Sequence, residues 1–88
     1  MEGRVLVIED QKSNREQIVK ILEEEGLEVE YTTTGESGIQ KAARFIPQAI
    51  LLSTSLPDMS GVDVAERLRE INRTKHVFLM MMGDQENR

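Results

Sequence analysis

With 88 residues the chain forms one small domain at most, with a modest core. Hydrophobic residues make up 39% and charged residues 31%. Phe45, Phe78 and Tyr31 are the only aromatics, and the absence of cysteine excludes disulfides and thiolate metal sites. The net charge of −5 opposes binding to nucleic-acid phosphates, and no apolar run approaches a membrane span or a signal peptide, so a cytoplasmic protein without nucleic-acid or membrane partners is expected.

Val5-Leu6-Val7-Ile8 is an unbroken apolar run, as in a parallel strand covered on both faces. It ends at Glu9-Asp10. Ser13 with Glu16 reads as a capping box, opening a helix whose buried stripe is Ile18, Ile21 and Leu22 and whose stop is Gly26. The alternation of Val29 and Tyr31 with polar neighbours predicts an edge strand over Glu28–Thr32. Thr34 caps a second helix that turns Ile39, Ala42, Ala43 and Ile46 inward and closes at Pro47. Ala49-Ile50-Leu51-Leu52 is a third strand, again continuously apolar. Leu56-Pro57-Asp58 and Ser60-Gly61 form a turn-rich loop, in which Ser60 and Asp63 resemble a second capping box. The helix after it carries Val62, Ala65, Leu68 and Ile71, and a fourth strand covers Val77–Met82.

The order β-α-β-α-β-α-β with short connections predicts an α/β fold, an open parallel sheet with helices on both faces. Because the second strand has edge character, the flavodoxin-like strand order 2-1-3-4 is expected. Ligands of such sheets bind beyond the carboxyl ends of the strands, where this chain places Glu9 and Asp10, Ser53, and Gly83. Two adjacent carboxylates call for a cation, and Mg²⁺ is the natural partner of such a pair. A solvated acidic turn explains the same spacing.

Val5 to Asp10, Ser13-Asn14-Arg15, Glu23 to Val29, Gly35 to Gly38, and Ala49 to Leu52 leading into Leu56 to Gly61 together resemble a response-regulator receiver domain of the CheY-like family. The resemblance spans residues 1–88 and implies one receiver-like domain that lacks the usual last helix-strand-helix. It also implies phosphoryl transfer from a histidine kinase to an aspartate at the end of strand 3. Glu9 and Asp10 match the family's Mg²⁺-holding pair, and Ser55 would lend the metal its backbone carbonyl. Ser53 stands where the phosphoacceptor aspartate is expected, and Gly83 where the switch threonine or serine is expected. The family's lysine, at the end of a fifth strand, has no counterpart.

A serine hydroxyl is neutral at pH 7, needs an adjacent base to act as a nucleophile, and takes one charge from the metal site. The resemblance therefore points to a degenerate pseudo-receiver with no catalytic residue, no required cofactor and at most weak Mg²⁺. Its expected role is phosphorylation-independent protein interaction or dimerisation in two-component-type signalling. The alternative is a Mg²⁺-dependent phosphoacceptor switch using Asp10 or Ser53. As the last strand, Val77, Phe78, Leu79, Met80, Met81 and Met82 would be an uncharged open edge, which predicts a homodimer or a protein partner that completes the sheet. Otherwise the 88 residues are a fragment of a longer chain. His76 reads as a solvated loop residue, and Asp58 as a turn former.

Overall fold

The structure, a computed structural model, describes residues 3–83. Four strands, β1 (Arg4–Ile8), β2 (Glu28–Thr32), β3 (Ala49–Ser53) and β4 (Phe78–Met82), alternate with α1 (Lys12–Glu24), α2 (Gly35–Phe45) and α3 (Gly61–Glu70). The sheet is entirely parallel in the order β2-β1-β3-β4, as expected of a CheY-like flavodoxin fold.

Alternation along the strands divides the apolar residues between two faces. Leu6, Ile8, Ile50 and Leu52 point to the α2/α3 side, where they form the main core with Ile39, Ala42, Val64, Leu68 and Val77. Val5 and Val7 point the other way, toward α1, and register places Leu51 and Met80 beside Val7 on that face. Among the described residues a single helix covers this side, against β1 and β2. The apolar stripe read on α1 is accordingly not buried: Ile18 and Leu22 are half-covered, and Ile21 is 60% exposed.

Several helix boundaries and faces differ from expectation. α1 is capped at Gln11, without a side-chain cap, rather than at Ser13. The Glu9 carboxylate accepts from the Gln11 amide at 3.0 Å, so the chain has already turned when it reaches Ser13. In α3 the inward residue is Val64, fully buried, while Val62 is exposed, because the buried stripe runs through Gly61, Val64 and Leu68. Ile46 does not pack inward. It is the C-cap of α2, in the left-handed region at φ 49, and Arg4 donates to the carbonyls of Phe45 and Ile46 at 3.1 and 2.9 Å. Val77 precedes β4 and is buried, so it leaves the expected edge.

Other boundaries agree. Thr34 forms a reciprocal capping box with Ser37, and the Ser60 hydroxyl caps α3 at the Asp63 amide. Gly26, at φ 84, closes α1 in a Schellman arrangement, its own amide on the Glu23 carbonyl and that of Leu27 on Leu22.

Candidate functional site

Parallel strands that end in register bring their carboxyl termini side by side. Here they surround a cleft of about 590 Å³ lined by Glu9, Asp10, Asn14, Ser53, Ser55, Met82 and Gly83, among others. All the residues expected at the site from sequence meet there.

Glu9 stands one residue past β1, and its amide still bonds the Thr32 carbonyl at 3.1 Å. Held in this continuation of the ladder, it is only 7% exposed, whereas Asp10 is open to solvent. Arg15 reaches back from α1 to the backbone carbonyls of Glu9 and Asp10, both at 3.2 Å, and lies over the Tyr31 ring. It fixes the turn through those carbonyls. Among the described residues, neither carboxylate of the acidic pair is in an ion pair; the two salt bridges present are Lys41–Glu30 and Arg67–Glu36.

Ser53, at the end of β3 and 7% exposed, is closed on its own loop. Its hydroxyl donates to the Ser55 carbonyl at 3.0 Å and accepts from the Ser55 amide at 3.2 Å. The hydroxyl therefore has both its bonding roles filled, and the Ser55 carbonyl already has one donor. Neighbouring backbone bonds hold this corner: the Thr54 amide donates to Met82 and the Gly61 amide to Thr54. Gly83 is exposed beside Met82, and a Cβ built on it would meet nothing within 4 Å among the described residues.

Against Mg²⁺, this donor set comprises two carboxylates, one of them tied to the Gln11 amide, and a carbonyl shared with the Ser53 hydroxyl. Among the described residues no group of three or more His, Cys, Asp and Glu could hold a metal ion. Mg²⁺ strips its hydration shell reluctantly, so the residues present suit at most a weakly held, largely hydrated ion. His76 is exposed, as expected.

Asp58 corrects the sequence reading. It does more than form a turn: its two carboxylate oxygens accept from the amides of Gly35 and Glu36, at 2.8 and 2.9 Å. The β3–α3 loop is thereby strapped to the N-terminus of α2, and the Arg67–Glu36 pair joins the same region. No local signal could reveal a cap whose partners lie more than twenty residues away. The Glu36 amide first, then that of Gly35, holds the Asp58 carboxyl below the ordinary value of 3.8. A lowered folded-state pKa adds stability that is complete above the ordinary value and is lost as pH falls through the folded one. Asp58→Asn should therefore lower stability at neutral pH and make acid unfolding less steep below pH 3.8, as followed by circular dichroism across a pH series. An unchanged acid limb would mean that the strap carries no stability.

The family model of the response regulator receiver domain matches residues 5–88. The transcriptional regulatory protein SrrA of Staphylococcus aureus is 31% identical over all 88 residues, which span 36% of that protein, about a third of its length. Among solved structures, the chemotaxis response regulator CheY4 of Vibrio cholerae superposes with a TM-score of 0.88 at 25% identity, over 92% of this chain and 68% of that one. The receiver domain of a sensor histidine kinase from Pseudomonas aeruginosa, which has a magnesium ion coordinated in its active site cleft, gives a TM-score of 0.87. At 23% identity, over 92% of this chain and 66% of that one, it attests the fold alone.

Proposed function

The chain belongs to the response regulator receiver domain family, and from that premise we propose that it is a pseudo-receiver, a phosphorylation-independent protein-interaction or dimerisation module of two-component-type signalling. The observation that carries this reading is the Ser53 hydroxyl, closed on both backbone groups of Ser55 where the family resemblance calls for an acidic acceptor. A neutral hydroxyl whose proton is already held by a carbonyl is a poor nucleophile toward a phosphoryl group. Among the described residues no histidine or lysine lines the cleft, and the Ser53 proton is donated to the Ser55 carbonyl rather than to the Glu9 or Asp10 carboxylate. Gly83, in the switch position, offers no hydroxyl to a phosphoryl oxygen. On this reading the site is not catalytic and no cofactor is required.

What remains functional is surface. Receiver domains interact with partner proteins such as kinases, and on this reading β4, the edge strand of the described sheet, is where a protein partner or a second copy would join. The net charge of −5 favours a protein over a nucleic acid as that partner. No helix of the described residues is long and apolar enough to cross a membrane, and a cytoplasmic location fits the proposed role.

Two features favour the alternative of a Mg²⁺-dependent acceptor: both carboxylates of the acidic pair line the cleft, and the Pseudomonas receiver domain carries its magnesium in the corresponding fold. Intact-mass spectrometry after incubation with Mg²⁺ and a small-molecule phosphodonor separates the two. The pseudo-receiver should gain no phosphoryl mass. A stoichiometric gain mapped to Asp10 or Ser53 would establish the switch instead.

A further inference from the structure

We propose that β2 binds an extended basic segment of a partner protein as an added strand. Alternate Lys or Arg side chains of that segment lie against Glu28 and Glu30, and the apolar side chains between them enter the groove beside Tyr31. This surface is independent of Ser53 and of β4.

Strand order sets the β2 edge. β2 follows β1 through α1, and the chain then crosses back over β1 to β3, which leaves β2 outermost and, among the described residues, paired with β1 alone. The Glu28 amide donates to the Gly3 carbonyl at 2.8 Å, and the Thr32 carbonyl accepts from the Glu9 amide at 3.1 Å. Because successive residues of a strand turn their N–H and C=O groups to opposite edges, Glu28, Glu30 and Thr32 direct theirs at β1, while Val29 and Tyr31 present theirs outward. An added strand therefore finds the donor and acceptor of both residues in line, and main-chain hydrogen bonds of this kind supply the affinity of strand addition.

The two faces of the edge differ in chemistry. In register with Val5 and Val7, Val29 and Tyr31 turn to the α1 side. There a groove of about 160 Å³ lies between α1 and β2, lined among others by Glu16, Val19, Glu23 and Tyr31. Tyr31 is 53% exposed and Val19 half-buried, so an apolar side chain entering the groove covers apolar surface. Glu28 and Glu30 turn to the opposite face. Among the described residues Glu16, Glu23 and Glu28 are in no ion pair. Of the nearby cations, Lys41 bridges Glu30 at 2.9 Å, and Arg15 is held by the carbonyls of Glu9 and Asp10 and over the Tyr31 ring, which leaves Lys20 alone against three unpaired carboxylates. These charges select the occupant. A second copy paired antiparallel about Glu30 would set like charges directly opposite each other, whereas a strand with cations at alternate positions meets opposite charges.

A fluorescein-labelled, amidated octapeptide of alternating Lys and Val is the probe, and its alternating Glu-Val counterpart the control. Anisotropy titration with the unaltered chain should show saturable binding of the first and none of the second. Glu28→Lys should weaken that binding at least about fivefold, whereas Glu70→Lys, the same charge change in α3, should leave it within about twofold. Amide hydrogen exchange followed by NMR reads the edge itself. Saturating peptide should slow exchange at Val29 and Tyr31 at least about tenfold and leave Glu30, whose amide already faces β1, unchanged. Absence of binding, equal weakening by both substitutions, or no added protection at Val29 and Tyr31 would each overturn the proposal. A phosphoryl group gained at Ser53 or Asp10 would overturn the pseudo-receiver reading and leave the β2 edge untouched.

Discussion

Gly61→Ala should lower the thermal unfolding midpoint by about 10–20 °C, the shift that about 2–3 kcal/mol produces in a domain of this size. Gly61 opens α3 where the helix passes directly over the end of β3. A Cβ placed on it would lie 2.4 Å from the Ser53 carbonyl oxygen and 3.0 Å from the Thr54 Cα. Both obstacles are backbone, so no rotamer change relieves the clash. Either α3 must lift from Val64 and Leu68 inward contacts, or the corner holding Ser53 must move. Small domains have little stability in reserve, which makes the loss conspicuous. Two other glycines calibrate the measurement. Gly38→Ala meets the Ile8 side chain, at 2.5 Å from Cδ1 and 2.9 Å from Cγ1, rather than backbone, and should cost less; Gly83→Ala meets nothing among the described residues and should leave the midpoint where it is. If Gly61→Ala and Gly83→Ala melted alike, the close approach of α3 to β3 would be wrong.

Ser53→Asp should raise magnesium affinity at least about tenfold, a conservative expectation given that one added charge a few ångströms from a divalent ion is worth several kcal/mol even in a well-screened site. The substitution introduces a third carboxylate beside Glu9 and Asp10 and removes the hydroxyl that occupies the Ser55 carbonyl. Without metal it should be less stable than the parent, because three carboxylates crowd one cleft and the Ser53–Ser55 bonds are lost. With metal, binding to the folded state alone should restore stability in proportion to ligand excess. Calorimetric titration with Mg²⁺ and thermal melts with and without it test both halves. A parent chain that binds Mg²⁺ as tightly as the variant would show that Ser53 does not weaken the site, and would favour the switch reading.

The class and topology of the fold were legible because they rest on patterns that local chemistry imposes. Continuous apolar runs at β1 and β3 require cover on both faces, whereas the alternation of Val29 and Tyr31 suits an edge. Gly26, Thr34 and Ser60 mark helix ends through backbone geometry and short-range hydrogen bonds, and each does so in the structure. The site residues were legible for a related reason. In a parallel sheet every strand ends on the same side, so the residues after Ile8, Leu52 and Met82 must converge whatever the details of packing.

Periodicity failed where a residue can belong to either of two adjacent helical stripes. Val62 and Val64 both fit a spacing of three or four, and the docking of α3 on β3 through Gly61 selects Val64. Ser13 looked like a cap because its local motif is sound; the buried Glu9 carboxylate, by holding the Gln11 amide, starts the helix earlier. Ile21 fits an apolar stripe, yet only the arrangement of layers shows that α1 is the sole helix on its side of the described sheet.

By itself, then, the sequence determined the element order, the parallel sheet and its 2-1-3-4 arrangement, and the convergence of Glu9, Asp10, Ser53, Ser55 and Gly83, all consequences of short-range pattern and chain handedness. Only the tertiary structure decided that Ser53 is bonded into its own loop, that Asp58 straps that loop to α2, and that Phe78 and Met80 lie bare at the sheet edge. Those features depend on which groups meet across long stretches of chain, and the free energy of such contacts is set by geometry that no local pattern encodes.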